Sequence, residues 1–174
     1  MSSNKRVLAL HVHPRSFGFV VFEGADQLLD WGVRSFRRGV NAVRVPAPKK
    51  LRALLDEFAP QMVVLRARPD RTAQRNSKLV AAIRREAKKH RIAVMFVKPR
   101  AVKQVFTGHT SNKHEIASAL AERFPELAPK LPPKRKPWQS EDYRMSIFDA
   151  AALGVAYFAR RKSHPVSPDG PAPS

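Results

Sequence analysis

The segment "VLALHVHPRSFGFVVFEGADQLLDWGVRSF", residues 7–36, decides which fold the sequence predicts. Apolar residues alternate along three short stretches, and the turn-like sequences "HPRS" and "EGAD" separate these stretches. Such alternation between turn signals is typical of antiparallel strands joined by hairpins. We therefore predict three strands at the start of the chain, at about residues 5–12, 17–24 and 27–36.

Beyond this segment, apolar residues recur first with helical spacing and then as short continuous runs. A Ser at position 111 precedes one of the predicted helices as a plausible N-cap, and Glu115 lies in its first turn. The predicted helices are at about 47–58, 74–90, 111–124 and 142–161, with a helix-like turn from residue 99, and the predicted strands are at 61–67 and 92–97.

The C-terminal stretch "SHPVSPDGPAPS", residues 163–174, contains no core-forming residues. Segments of this composition cannot bury enough apolar surface to offset the entropy of ordering. We therefore predict a single folded domain at residues 1–162, followed by a disordered tail at 163–174.

Charge is the strongest compositional signal. Lysine and arginine number 33 against 14 aspartate and glutamate residues, which gives a formal charge of +19. Such a charge repels itself unless a polyanion offsets it, and nucleic acid is the commonest intracellular polyanion. An anionic membrane surface is the weaker alternative, because no basic amphipathic helix stands apart from the globular pattern. We predict a nucleic-acid partner and no membrane association.

Other compositional features concern the cellular environment. The chain has no cysteine, which excludes disulfides and thiolate metal sites and fits a cytoplasmic protein. No apolar run approaches the roughly 20 residues that span a bilayer, and the start "MSSNKRVLAL" lacks the long apolar region of a signal peptide. We predict a cytoplasmic, globular protein.

The cations occur in four dense runs, at 37–39, 49–50, 84–91 and 130–138. A single run usually marks a solvated face, but four runs in one small domain favour a phosphate-binding surface. The last run, "KLPPKRKPW", places Trp138 in a proline-rich basic loop, which suits phosphate contact combined with base stacking. The alternative for Trp138 is that it caps the core.

Four segments resemble, in order, the RuvC-type Holliday-junction resolvases of the ribonuclease-H-like superfamily. The best match is "VKPRAVKQVFTGHTSNKHEIA" (97–117), which is similar to the family's P-x-x-V-K pattern followed by a glycine-containing loop and a lysine. The other matches are "LALHVHPRSFGF" (8–19), "VLRARPDRTAQRNSKL" (64–79) and "SIFDAAALGVAYF" (146–158). The resemblance implies an α/β fold with a five-stranded mixed sheet and helices on both faces.

The resemblance also implies where an active site would lie. Family members cut phosphodiesters with two divalent ions held by four carboxylates, since hard cations prefer oxygen ligands. The four positions correspond to His11, Arg66, Ser146 and Asp149, so that only Asp149 is a carboxylate. A guanidinium at position 66 repels a divalent ion and cannot be deprotonated. We therefore predict a degenerate nuclease site without a cofactor.

His11 and His13 leave an alternative open. Residues i and i+2 of a strand point to one face, so both imidazoles could hold a transition metal together with Asp149. His109 and His114 are further candidates. Against this, His11 can be a neutral, hydrogen-bonded replacement and His13 a polar residue at the strand end.

The function that we predict from the sequence is binding of structured or branched DNA, or alternatively RNA, through a basic face, with DNA as the favoured partner. The candidate contact residues are Arg66, Arg68, Arg75, Lys78, Lys103, Lys113, Lys134, Arg135, Lys136 and Trp138. The rival is an active RuvC-like endonuclease that uses Mg²⁺ or Mn²⁺ at a histidine-containing or displaced site. A third possibility is a scaffold role on RNA or an acidic protein, because phosphate contacts carry no base information.

The resemblance further implies a homodimer that packs the helix after the fourth strand. In this chain that helix carries four cations, so like charges oppose a similar dimer. They are Arg84, Arg85, Lys88 and Lys89.

Overall fold

The computed structural model describes residues 4–36, 47–67, 70–107 and 112–163, with the backbone alone given for 70–77. Five strands, five α-helices and one short 3₁₀ helix lie in these ranges. The strands are β1 (Arg6–His13), β2 (Ser16–Glu23), β3 (Leu28–Ser35), β4 (Met62–Arg66) and β5 (Ala93–Val97). The α-helices are α1 (Ala47–Phe58), α2 (Asp70–Lys89), α3 (Pro99–Val105), α4 (Lys113–Arg123) and α5 (Met145–Ser163), and the 3₁₀ helix is Pro125–Lys130.

The five strands form one mixed sheet in the order β3-β2-β1-β4-β5. The three N-terminal strands are antiparallel neighbours, as the alternating pattern of residues 7–36 predicts, and β1, β4 and β5 are parallel. Parallel pairing needs helical crossovers, which α1 and α2 supply. The predicted α/β fold with a five-stranded mixed sheet is confirmed.

Helices cover both faces of the sheet, and the central strand β1 is buried between them. Val7 and Ala9 on β1 pack into the core formed with α3, α4 and α5. Leu8 and Leu10 point to the opposite face, into the core formed with α1 and α2. This division matters for the site, because His11 has the parity of Val7 and Ala9 and so faces the layer of α3, α4 and α5.

Several helix limits differ from those predicted. Helix α4 has Asn112 as its N-cap, whose side chain accepts a hydrogen bond from the backbone N–H of Glu115 at 3.0 Å. The prediction that Ser111 is the N-cap is therefore wrong, because the adjacent Asn satisfies the helix N-terminus equally well. Helix α5 begins three residues later than predicted, at Met145, and α2 begins four residues earlier, at Asp70.

The predicted disordered tail stays a prediction. Helix α5 continues to Ser163, and residues 164–174 lie outside the described residues. The limits of the predicted domain, 1–162, are likewise untested. In the ranges that the structure describes, no helix is long and apolar enough to cross a membrane.

Gly18 on β2 lets α5 approach the sheet. A Cβ atom at this position would overlap the backbone carbonyl and the hydroxyl of Ser146, and a backbone carbonyl cannot move aside like a flexible side chain. We predict that Gly18→Ala lowers the free energy of unfolding by about 1–2 kcal/mol, because α5 must shift away from β2. Gly32→Ala is the matched control, since its Cβ would meet only side-chain atoms, the nearest a ring atom of Phe19 at 3.1 Å. Denaturant unfolding that ranks the two variants equally would contradict this role of Gly18.

Candidate nucleic-acid site

The carboxyl ends of β1 and β4 lie side by side and place two predicted site residues together. The last paired residues of these parallel strands are Leu10 and Leu65, and His11 and Arg66 follow them directly. Helices α3, α4 and the first turns of α5 approach the same edge and enclose a cavity of about 580 Å³. We call it the edge cavity. Its polar lining residues are His11, Arg66, Lys103, Thr107, Asn112, Lys113 and Asp149.

The carboxylate of Asp149 contacts an ammonium group at the wall of the edge cavity. Lys113 Nζ lies 3.3 Å from Asp149 Oδ2 and 2.8 Å from Glu141 Oε1, so that one cation bridges two carboxylates. Burial alone lowers the pKa of Lys113, but the charge of Asp149 and the hydrogen bond to Glu141 outweigh it and raise this pKa above its ordinary value. Lys113 is therefore a permanent cation at neutral pH.

His11 is buried beside this ion pair. Its side chain is 6% exposed, and its Nε2 lies 3.6 Å from Asp149 Oδ2. The rings of His11 and His13 are in edge-to-face contact, with centroids 4.7 Å apart. The two imidazoles thus lie on one face of β1, as the strand spacing predicts.

These residues do not fit a pair of divalent cations. A two-metal site needs several carboxylate oxygens, and the single carboxylate among the four family positions already contacts Lys113. Over the residues that the structure describes, no three His, Asp or Glu side chains are arranged to hold a metal ion. The set of His11, His13 and Asp149 is thus not formed as a metal site.

Of the two remaining histidine candidates, the structure describes His114 alone. The imidazole of His114 is hydrogen-bonded to the backbone of Pro132, with 3.1 Å between His114 Nε2 and the Pro132 carbonyl oxygen. His109 falls outside the described residues.

Ser146, the fourth position implied by the family resemblance, does not line the edge cavity. Its hydroxyl donates a hydrogen bond to the carbonyl oxygen of Tyr143 at 2.7 Å, and the side chain is buried against Gly18. The structure therefore brings together His11, Arg66 and Asp149, and it places Ser146 on the neighbouring side of α5 near the β1–β2 turn.

Two cations at the rim of the edge cavity are available for phosphate. Arg66 and Lys103 are exposed, and neither forms an ion pair with a carboxylate in the described part of the chain. Asp149 contacts Lys113 and His11 instead, so Arg66 is not its structural partner. The rim thus carries uncompensated positive charge.

The proline-rich basic loop lies next to the edge cavity. Lys113 lines both this cavity and a second depression that is bordered by Lys134 and Arg135. Hydrogen bonds to Gln139 from Arg135 Nη1 and from the Lys136 backbone, both 3.1 Å long, hold the loop in a turn. The loop therefore extends the positive surface away from the rim.

Trp138 projects from this turn. It is 78% exposed, and Lys136 Nζ lies 5.5 Å from its ring centroid. The alternative that Trp138 caps the core is wrong.

Of the other predicted contact residues, Lys78 is not brought to this site. Lys78 is exposed on α2, which packs on the opposite face of the sheet, and the exposed cations Arg84, Arg85 and Lys88 share that helix. The basic runs thus do not form one surface. Arg68 and the run at 37–39 lie outside the described residues, as does the side chain of Arg75.

Glu141 is a site residue that the sequence reasoning missed. It accepts the shorter of the two contacts from Lys113. The signal was present as the acidic pair Glu141 and Asp142, which follows a run of cations and is separated from α5 by two residues. Acidic residues near a helix N-terminus are favoured by the helix dipole, which by itself accounts for this pair. The sequence therefore offers no reason to assign Glu141 a contact with Lys113 as well.

Comparison with known proteins gave matches by structure alone. No family model matches the sequence. Nor does any curated protein match it.

The fold is similar to that of Thermus thermophilus RuvC in complex with a Holliday junction substrate, with a TM-score of 0.63 at 18% identity over 91% of this chain and 96% of that chain. The yeast mitochondrial Holliday junction resolvase gives 0.59 at 12% identity, over 92% of this chain and 83% of that chain. Fowlpox virus resolvase, solved with its substrate Holliday junction DNA, gives a TM-score of 0.53 at 13% identity, over 89% of this chain and 97% of that chain. This chain therefore has the fold of the RuvC-type Holliday junction resolvases.

Proposed function

We propose that this protein binds branched DNA through the rim of the edge cavity and the proline-rich basic loop, and that it has lost two-metal nuclease activity. The observation that carries the proposal is the bridge from Lys113 to Asp149 and Glu141. In a two-metal nuclease, cations from solution must neutralise the carboxylates before phosphate can approach. Here a lysine of the chain itself neutralises them.

Electrostatics then favours phosphate at the site without added metal. With Asp149 paired, Arg66 and Lys103 at the rim supply net positive charge, and guanidinium groups bind phosphate oxygens in a bidentate geometry. The excess of 33 cationic over 14 anionic residues raises the rate of encounter with any polyanion.

DNA is the partner that the structural neighbours favour. Two of them were solved with Holliday junctions, which supports branched DNA over RNA as the ligand of this fold. Three further expectations stay predictions: that the protein needs no cofactor, that it is cytoplasmic and that it forms a homodimer. The exposed cations on α2 argue against a dimer packed through that helix, and light scattering of the purified chain measures its oligomeric state.

Salt dependence tests the proposal. We predict that the logarithm of the affinity for a four-way junction falls linearly with the logarithm of the salt concentration, with about one counterion released per phosphate contacted. Fluorescence anisotropy with labelled junction, in EDTA to remove divalent ions, measures the slope. A linear duplex of the same base composition is the control. A slope near zero, or a requirement for Mg²⁺, would contradict binding by protein cations.

The second candidate is a metal-dependent endonuclease that uses Mg²⁺ or Mn²⁺. The approach of His11 Nε2 to Asp149 Oδ2, at 3.6 Å, is the observation that favours it. The distinguishing experiment is incubation of the junction with each metal, followed by denaturing electrophoresis. Nicks that disappear in His11→Ala and Asp149→Ala would establish this candidate and overturn the loss of activity that we propose.

Trp138 gives a further prediction. Its exposed ring beside Lys136 can stack on a base, so Trp138→Ala should weaken junction binding by about 1 kcal/mol. It should leave the melting temperature unchanged, because the ring contributes nothing to the core. Exposed Tyr143 provides the control, as Tyr143→Ala removes an aromatic ring that lies outside the basic loop. Titration in a Trp31→Phe background also reports quenching of Trp138 directly, and unquenched emission at saturation would exclude stacking.

A further inference from the structure

The edge cavity is larger and more apolar than a site for phosphate alone needs to be. Behind its charged rim the walls are built from aliphatic and aromatic side chains of α3, α4 and α5, among them Val102, Phe106, Ile116 and Phe148. Its volume of about 580 Å³ lies in the range typical of sites that enclose a small organic ligand. Phosphate, which is small and strongly hydrated, gains nothing from such walls.

The rim and the walls together describe the chemistry of the occupant. Arg66 and Lys103 favour an anion at the rim, because neither of them is neutralised by a carboxylate in the described ranges. The apolar walls favour a ligand with a flat or compact apolar group. Asn112 and Thr107 offer polar groups at the boundary between the two regions. A nucleotide combines these three features in one unit, as its phosphate is anionic, its base has apolar faces and the base edge carries hydrogen-bonding groups.

We propose that the edge cavity takes up one unstacked nucleobase of a bound DNA, while the flanking phosphates contact Arg66 and Lys103. The inference rests on the proposed function, since it specifies how the same site engages its ligand. Extruding a base costs a few kcal/mol in lost stacking and pairing, and this cost is least where the base is already unpaired. The cavity therefore selects junctions that have an unpaired nucleotide at the branch point.

An abasic substitution tests the inference in the unmodified protein. Two junctions are compared, one with a single unpaired adenine at the branch point and one with an abasic site at the same position, so that charge and backbone are identical. We expect the wild-type protein to bind the adenine-containing junction at least 10-fold more tightly. Equal affinities for the two junctions overturn the inference, even if both bind with the salt dependence expected of the proposed function. If the protein binds neither junction, both the inference and the proposed function are overturned.

A cavity-filling variant localises the effect. Val102 lines the cavity from α3 and, like Val105, is only partly buried against the core, so Val102→Trp directs the added ring into the cavity. It should abolish the difference between the two junctions. Val105→Trp, on the same helix but not lining the cavity, is the matched control and should retain the difference. Retention of the difference in both variants places the base elsewhere and overturns the assignment.

A free nucleotide carries the same groups as a nucleotide of bound DNA and is the other candidate occupant of the edge cavity. Adenosine monophosphate should displace the adenine-containing junction only at a concentration at least 100-fold above that of unlabelled junction, because it offers one phosphate in place of several. Displacement at equal concentrations would identify the site as one for a free nucleotide and overturn the assignment to a base of bound DNA.

Discussion

Arg66→Glu should weaken the binding of branched DNA by about 1–3 kcal/mol, or roughly 5- to 150-fold in the dissociation constant. The substitution removes a cation from the rim of the edge cavity and adds a carboxylate that repels phosphate. The fold should be unaffected. Arg66 is exposed, and it forms no ion pair with a carboxylate in the described part of the chain. Anisotropy titrations at two salt concentrations measure the loss, which should shrink as salt rises.

The matched control is Arg160→Glu, which makes the same change of charge at an exposed position in the last turn of α5. It tests whether the loss reflects the site or only the lower net charge of the protein. Equal losses in the two variants would mean that the DNA does not contact the edge cavity. A fall in melting temperature in Arg66→Glu, with DNA binding intact, would instead reveal a structural role for this guanidinium.

The sheet could be predicted from sequence because its signals are local. Turn sequences separate β1, β2 and β3, and the apolar residues of β1, β2 and β4 reflect burial on both faces of the sheet. Helix ends were less predictable. Ser111 and Asn112 are both good N-caps, and the choice between them depends on the position of α4 against the rest of the fold, which no local pattern contains.

The site was only partly predictable, for a related reason. His11 and Arg66 end neighbouring parallel strands, so strand order alone brings them together. Ser146 and Asp149 are three residues apart on one helix, and spacing suggests a shared face. The hydroxyl of Ser146 nevertheless turns back to the carbonyl oxygen of Tyr143, just before α5, which also accepts a hydrogen bond from the backbone N–H of Ser146 at 3.2 Å. The contact between Lys113 and Glu141 joins residues 28 positions apart, so nothing in local sequence indicates it.

Lys113→Ala should have the largest effect on DNA binding. Removing the ammonium loses a cation from the site and also leaves Asp149 and Glu141 without their shared lysine, so that two carboxylates then repel phosphate. We expect binding to weaken by about 2–4 kcal/mol, or roughly 30- to 1,000-fold. Lys113→Arg keeps the charge and should recover most of the affinity. An affinity of Lys113→Ala within twofold of wild type would show that this lysine does not neutralise the site for DNA.

The same variant separates the two candidate functions. In the wild-type protein Lys113 Nζ lies within 3.3 Å of both carboxylates, so a divalent ion must displace a bonded ammonium in order to bind. Without the ammonium, Glu141 and the Asp149 carboxylate beside His11 are no longer paired with a lysine, so Lys113→Ala should bind Mn²⁺ measurably more tightly than wild type in calorimetry. If the wild-type protein already binds Mn²⁺ as tightly as the variant, the lysine does not exclude metal, and the endonuclease becomes the better account of the site. If only the variant binds Mn²⁺, the chain supplies through Lys113 the positive charge that a two-metal nuclease takes from solution, and it can hold DNA where such a nuclease would cut it.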